Sequence, residues 1–238
     1  STRRFSWIKR IDRVYLSPRS LLYLWLERRQ MQTPCLVSVS EVIQKDRETH
    51  YGKAEHSAVI TPGVDTEWFS PEGISRMRYK VREEESIRPE EMVVLFVGSE
   101  FKRKGLDDLI RAIGAGMKLW IVGEGERMKR YLGLVQRHGL EGQVCFAGHA
   151  RDVRRFYAMA DVVVLPSISE AFGMVALEAM ACGLPIIVRA GTGVAPLVRH
   201  GVNGYLFKNP GELPSLLKRL GGALEERTEV GRRARRTA

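Results

Sequence analysis

Two glutamates, Glu170 and Glu178, stand eight positions apart in "SISEAFGMVALEAMACGLPIIV", residues 167–188. Pro166 closes an apolar run, "SISEAF" reads as a loop, and Gly173 opens a helix that Gly183 ends. Ala176, Ala179, Ala181 and Cys182 are small, so this helix can press closely on a sheet. The first N–H groups of a helix have no acceptor within it and carry a partial positive charge, which makes this end a seat for a phosphate or pyrophosphate. Glu178 then falls about one and a half turns in, roughly 7 Å along the axis. That is too far along to cap the helix. It suits a carboxylate accepting two hydrogen bonds from a vicinal diol, such as the ribose of a nucleotide whose phosphates lie on the helix end. Glu170, in the loop, would flank the phosphates from the other side and could accept from hydroxyls of an attached sugar. The plainer alternative makes Glu170 a helix-start carboxylate favoured by the dipole and Glu178 a solvated surface acid. The apolar neighbours Leu177, Ala179 and Met180 weaken that alternative for Glu178.

Such a site needs a sheet edge to stand on. From residue 91 onward, short apolar runs alternate with helical patterns. "MVVLFVG" (92–98), "MKLWIVG" (117–123), "QVCFAG" (143–148), "DVVVLPS" (161–167) and "PIIV" (185–188) read as strands. "GLDDLIRAIGAG" (105–116), "ERMKRYLGLVQRHGL" (126–140) and "RDVRRFYAMA" (151–160) read as the helices between them. The pattern predicts an α/β fold, a Rossmann-like parallel sheet with helices on both faces, binding its ligand at the carboxyl edge. Upstream, "TPCLVSVS" (33–40) and "SAVITPGVD" (57–65) read as strands around a helix (40–52) with Ser40 as N-cap. These cannot bury a sheet of their own, so residues 1–65 read as the remnant of another Rossmann-like domain. Residues 66–91 read as a charged connector, 92–220 as the ligand-binding domain and 221–238 as a basic tail without apolar periodicity beyond one turn.

Composition removes other classes. The chain of 238 residues is 44% hydrophobic and 28% charged, and no run of 18 apolar residues crosses a membrane. No signal peptide is legible, and Cys35, Cys145 and Cys182 form no Cys-x-x-Cys pair, which points to reduced thiols and a cytoplasmic setting. The net charge is +10, of which residues 1–33 carry +6 and residues 218–238 carry +4, leaving the body neutral. A nucleic-acid partner is therefore not expected, since its basic patch belongs on the folded body. The N-terminal arginines alternate with Phe5, Trp7, Ile8, Tyr15, Leu21, Leu22, Tyr23, Leu24 and Trp25. That mixture suits peripheral contact with an anionic membrane, or equally a helix packed on a partner domain. There is no Asp-x-Asp and no His, Cys and carboxylate cluster at metal-ligand spacing, so no metal is expected.

Together, "VITPGVDTEWFSP", "VVLFVGSEFKRKGLDDLIRAI", "LWIVGEGE", "VCFAGHARDVRRFYAMADVVVLPS", "EAFGMVALEAMACGLPIIV" and "VNGYLF" closely resemble the retaining GT-B glycosyltransferases of family 4, the group 1 type. The resemblance runs from about residue 33 to 220, and "GSEFKRKGLD" is most similar to lipopolysaccharide-core and other cell-surface members. It implies that Glu178 binds the ribose and that Glu170 contacts the donor sugar. Phe172, Gly173 and Met174 would offer backbone amides to sugar and diphosphate, and Lys104 matches the diphosphate-binding lysine, the plainer alternative for it and for Arg103 being solvated turn charges. Ser99 stands where many members have arginine, and Arg103 is expected to supply that missing charge. Val144 and His149 lie where the family holds the base, although His149 could equally be only a turn residue. Thr192 and Gly193 match the family's Gly-Gly-x-x-Glu element, but Pro196 stands in place of its glutamate.

The implied reaction moves a sugar from a nucleotide diphosphate sugar, UDP-linked by expectation, to a glycan or glycolipid acceptor with retention of configuration and no metal or other cofactor. Family members carry two such domains, so this chain is expected to be a half truncated at both ends, binding donor and turning over poorly alone. The alternative is a nucleotide-sugar-binding module without catalysis. An NAD-binding protein is disfavoured, because Met128 replaces the third glycine of the fingerprint begun by "VGEGERM".

Overall fold

A computed structural model describes residues 18–238, which fall into two units divided between Ile60 and Thr61. In the first, α1 (Pro18–Met31) is followed by β1 (Cys35–Ser38), α2 (Glu41–Tyr51) and β2 (His56–Val59). β1 and β2 pair in parallel, Cys35 opposite His56 through Ser38 opposite Val59. Ser40 caps α2 as its sequence position predicts, its hydroxyl accepting from the Ile43 N–H at 3.2 Å. α1 buries none of its residues, and Leu21, Leu22, Tyr23, Trp25 and Leu26 are exposed. Phe5, Trp7, Ile8 and Tyr15 lie outside the described residues.

The second unit runs α3 (Pro71–Glu84), β3 (Met92–Val97), α4 (Leu106–Ala112), β4 (Met117–Val122), α5 (Met128–Arg137), β5 (Val144–Gly148), α6 (Arg154–Met159), β6 (Val162–Leu165), α7 (Met174–Ala181), β7 (Ile186–Arg189), β8 (Tyr205–Phe207), α8 (Leu213–Gly221) and α9 (Leu224–Arg235). All six strands are parallel, in the order β5-β4-β3-β6-β7-β8. Side chains alternate along a strand, so Val94 and Phe96 of β3 enter one apolar cluster with Leu109, Tyr131 and Leu217. Val93 and Leu95 enter the other with Tyr157, Ala176 and Met180. Both faces are covered, which is why the strand sequences are apolar throughout. The chain leaves β3 toward β5, then crosses back to β6 on the other side of β3. That reversal opens a crevice at the carboxyl ends of β3 and β6, where sheets of this kind bind ligands.

Two sequence expectations are corrected. Residues 66–91 are no connector, because α3 belongs to the packed body: Ile74 and Val81 are buried, and its arginines reach the turn between α6 and β6. Arg78 and Arg82 donate to the Asp161 carboxylate at 2.6 and 3.1 Å, and Asp161 also accepts the Val93 N–H at 2.7 Å. Residues 221–238 are no tail. α9 docks with Val230, Gly231 and Ala234 buried, and Arg235 donates to the carbonyls of Phe69, Ala181 and Thr66 at 2.9–3.1 Å. A contact face of small residues has little apolar periodicity, and carbonyl acceptors have no sequence signature.

Candidate functional site

The loop after β3 (98–105) and the loop after β6 (166–173) flank the crevice. They are joined at several points. The Ile168 N–H donates to the Arg103 carbonyl at 2.9 Å, and the Arg103 guanidinium donates to the Ser169 carbonyl at 2.8 Å. Lys104 and Glu170 form an ion pair across the gap, both largely withdrawn from solvent, with the Ser167 hydroxyl 3.3 Å from the same carboxylate oxygen. Arg189, at the end of β7, ties the loop after β6 to α4, donating to the Pro166 carbonyl at 3.0 Å and pairing with Asp108 in the first turn of α4.

α7 begins at Gly173, whose φ of 108° lies in the left-handed region. Phe172 is buried beside it, and Met174 is the first helical residue. The segment 190–194 supports this turn: the Gly193 N–H donates to the Glu170 carbonyl at 3.0 Å, and Val194 to the Phe172 carbonyl at 2.7 Å. A Cβ at residue 193 would stand 1.9 Å from the Ala171 carbonyl oxygen, so only glycine permits the crossing. The free N–H groups of the first turn of α7 thus open beside the Lys104–Glu170 pair.

Glu178 is half-buried on α7 and is not a solvated surface acid. Its Oε2 accepts the Tyr157 hydroxyl at 2.7 Å. Tyr157 is fully buried in α6, its ring edge-on to Phe69 with centroids 5.9 Å apart. Burial first, then the Glu178 charge, pushes the phenol well above its ordinary pKa, so the hydroxyl stays a donor. Burial and the same carboxylate push the Cys182 thiol up to about 12. Sequence reasoning missed Tyr157; the available signal was a tyrosine on the apolar face of a helix, whose hydroxyl must find a partner when buried.

The structure therefore brings Lys104, Glu170, Phe172, Gly173 and Met174 to one edge, with Glu178 farther along α7. Ser99 is exposed just after Gly98 on the same edge, and His149 is exposed directly after β5. Arg103 reaches the same edge, where its guanidinium donates to the Ser169 carbonyl at 2.8 Å and to Glu100 at 2.6 Å. One expectation is corrected. Val144 opens β5 at the amino edge, four residues and about 13 Å of strand from Gly148. There it lines a surface hollow with Lys129, Leu132 and Phe146. Strand position, not apolar character, decides which residues reach the crevice.

A family model described as "Glycosyl transferases group 1" matches residues 77–237. The chain belongs to the group 1 glycosyltransferases. It is 33% identical over 186 residues to an uncharacterized glycosyltransferase of Methanocaldococcus jannaschii, a match covering 74% of this chain and 47% of that protein. It is 29% identical over 173 residues to the lipopolysaccharide glucosyltransferase WaaG of Escherichia coli, covering 69% and 46%. The chain spans about half the length of these curated relatives. Among solved structures, WaaG superposes with a TM-score of 0.84 at 24% identity, over 98% of this chain and 68% of that one. HepE of Anabaena, crystallised with UDP and glucose, gives 0.79 at 27% identity, over 93% and 63%. The six-stranded parallel sheet with helices on both faces matches the GT-B C-terminal domain.

Proposed function

We propose that this chain is the donor-binding half of a retaining, family 4 glycosyltransferase. It takes a nucleotide diphosphate sugar, UDP-linked by analogy with HepE, and the complete enzyme passes the sugar to a cell-surface glycan or glycolipid, as WaaG's name indicates for that relative. The carrying observation is the meeting of the Lys104–Glu170 pair with the first turn of α7 at the switch point between β3 and β6. The diphosphate seats on the α7 N–H groups, and Lys104 turns from Glu170 to the phosphates. Glu170, so released, accepts hydroxyls of the sugar, and Glu178 reads the ribose. In transfer, charge grows on the departing diphosphate, and a lysine with oriented N–H groups stabilises it without reorganising solvent. No step in this scheme needs a metal or other cofactor. Arg103 acts as the tie that holds the two loops at working distance.

A second element of the proposal concerns location: a cytoplasmic protein resting on the membrane face. α1 exposes Leu21, Leu22, Tyr23, Trp25 and Leu26 among arginines, which favours an anionic lipid surface. No helix among the described residues is long and apolar enough to cross a membrane. The decisive experiment for donor binding is titration calorimetry with UDP and with Glu178→Gln. Uptake by the unaltered chain, weakened about 10-fold by the substitution, is the expected result. Absence of uptake, or equal uptake by the variant, sinks the assignment.

A further inference from the structure

We infer that Tyr157 is a positioning residue for nucleotide recognition: its hydroxyl fixes the Glu178 carboxylate in the orientation that receives the ribose diol. The inference rests on the donor-site reading above. Among the described residues, the Tyr157 hydroxyl is the one hydrogen-bond partner of the Glu178 carboxylate, at 2.7 Å on Oε2. A carboxylate has two oxygens with about four acceptor sites, so one hydrogen bond orients the group and leaves Oε1 uncommitted. A glutamate has three side-chain torsions, and ordering them opposes binding unless the free protein has already ordered them.

Tyr157 itself has little freedom. Its side chain is fully buried, and Phe69 meets its ring edge-on. The end of α6 is clamped by α3: Arg78 donates to the Ala158 and Ala160 carbonyls at 3.0 and 2.7 Å, and Arg82 to the Met159 carbonyl at 2.9 Å. The nearest alternative acceptor for the hydroxyl, the Val175 carbonyl, is 3.5 Å away and cannot compete with a charged oxygen at 2.7 Å. A rigid element thus holds a rigid ring, whose hydroxyl holds a flexible acid. A buried tyrosine serving packing alone could be phenylalanine.

The test compares UDP with 2′,3′-dideoxy-UDP, which keeps the phosphates and base and lacks the diol. Tyr157→Phe keeps the ring, so the fold is expected to survive, and a melting curve checks it. We expect Tyr157→Phe to lose about 3- to 10-fold in affinity for UDP, on the scale of one ordinary hydrogen bond because the carboxylate is disordered but kept, and almost nothing for the dideoxy compound. Equal losses for both nucleotides, or none for either, overturn the inference. Phe69→Leu is the second variant, because it loosens the ring without removing the hydroxyl. The preference for UDP should shrink about 2- to 3-fold, and an unchanged preference also counts against the inference. Glu178→Gln separates the two levels. If it discriminates the nucleotides as well as the unaltered chain does, the donor-site reading fails and takes this inference with it. If Glu178→Gln abolishes discrimination while Tyr157→Phe does not, only the role of Tyr157 fails.

Discussion

Lys104 and Glu170 hold each other across the crevice, and that contact makes them competitors for the incoming ligand. In the proposed donor site, a diphosphate would draw Lys104 away from a carboxylate that then faces new negative charge unless a sugar hydroxyl occupies it. On that proposal the pair should favour a donor that brings both phosphates and sugar over a bare nucleotide. Lys104→Met should weaken UDP binding about 10- to 100-fold, since it removes a charge-assisted contact in a partly desolvated place. Glu170→Gln should act with the opposite sign on UDP itself, strengthening it about 2- to 5-fold by freeing the lysine and removing a repulsive neighbour. The same variant should lose the preference for UDP-sugar over UDP. Calorimetry with both ligands measures all three quantities. Weaker UDP binding by Glu170→Gln would mean that the carboxylate supports Lys104 and does not compete for it.

At the scale of elements, α9 is the one whose role the sequence conceals. Its buried face consists of Val230, Gly231 and Ala234, and its strongest ties run from Arg235 to backbone carbonyls of Thr66, Phe69 and Ala181. In a solvated helix, Gly231→Ala would stabilise by up to about 1 kcal/mol. Here an added Cβ would stand 2.1 Å from the Gly183 carbonyl oxygen, at the end of α7. The substitution should instead destabilise by about 1–3 kcal/mol and lower the melting temperature by roughly 3–10 °C. A rise in melting temperature would show α9 undocked. The same comparison explains what was legible beforehand. Strands buried on both faces announce themselves as apolar runs, and "EAFGMVALEAMACG" shows its loop, its helix start and its two acids in order. Tyr157 acts on Glu178 from 21 residues upstream, and Asp161 binds arginines 79 and 83 residues away. Contacts across such separations follow from topology, which local spacing does not encode. Val144 is misplaced for a different reason: its strand and the carboxyl-edge rule are both legible, and its expected position rests on the family resemblance although Val144 opens its strand.

For the whole molecule, the unit Thr61–Ala238 closes on itself. Its two apolar clusters cover both faces of the six-stranded sheet and, among the described residues, draw on none before Phe69. Lys104, Glu170, Tyr157 and Glu178 all lie within it. The basic excess is divided, with residues 218–238 of this unit carrying +4 and residues 1–33 carrying +6, and the exposed aromatic and aliphatic side chains of α1 stand on the latter segment. Donor recognition and surface attachment should therefore separate cleanly. A chain cut to residues 61–238 should fold cooperatively and bind UDP within about twofold of the full 238 residues, because both apolar clusters and the four side chains of the proposed site belong to that unit. The same cut should abolish flotation with phosphatidylglycerol vesicles while leaving neutral vesicles unbound in both cases. Loss of UDP binding on truncation would show that the first sixty residues complete the nucleotide site. Retained flotation would move the membrane contact onto the sheet domain, where residues 218–238 carry +4.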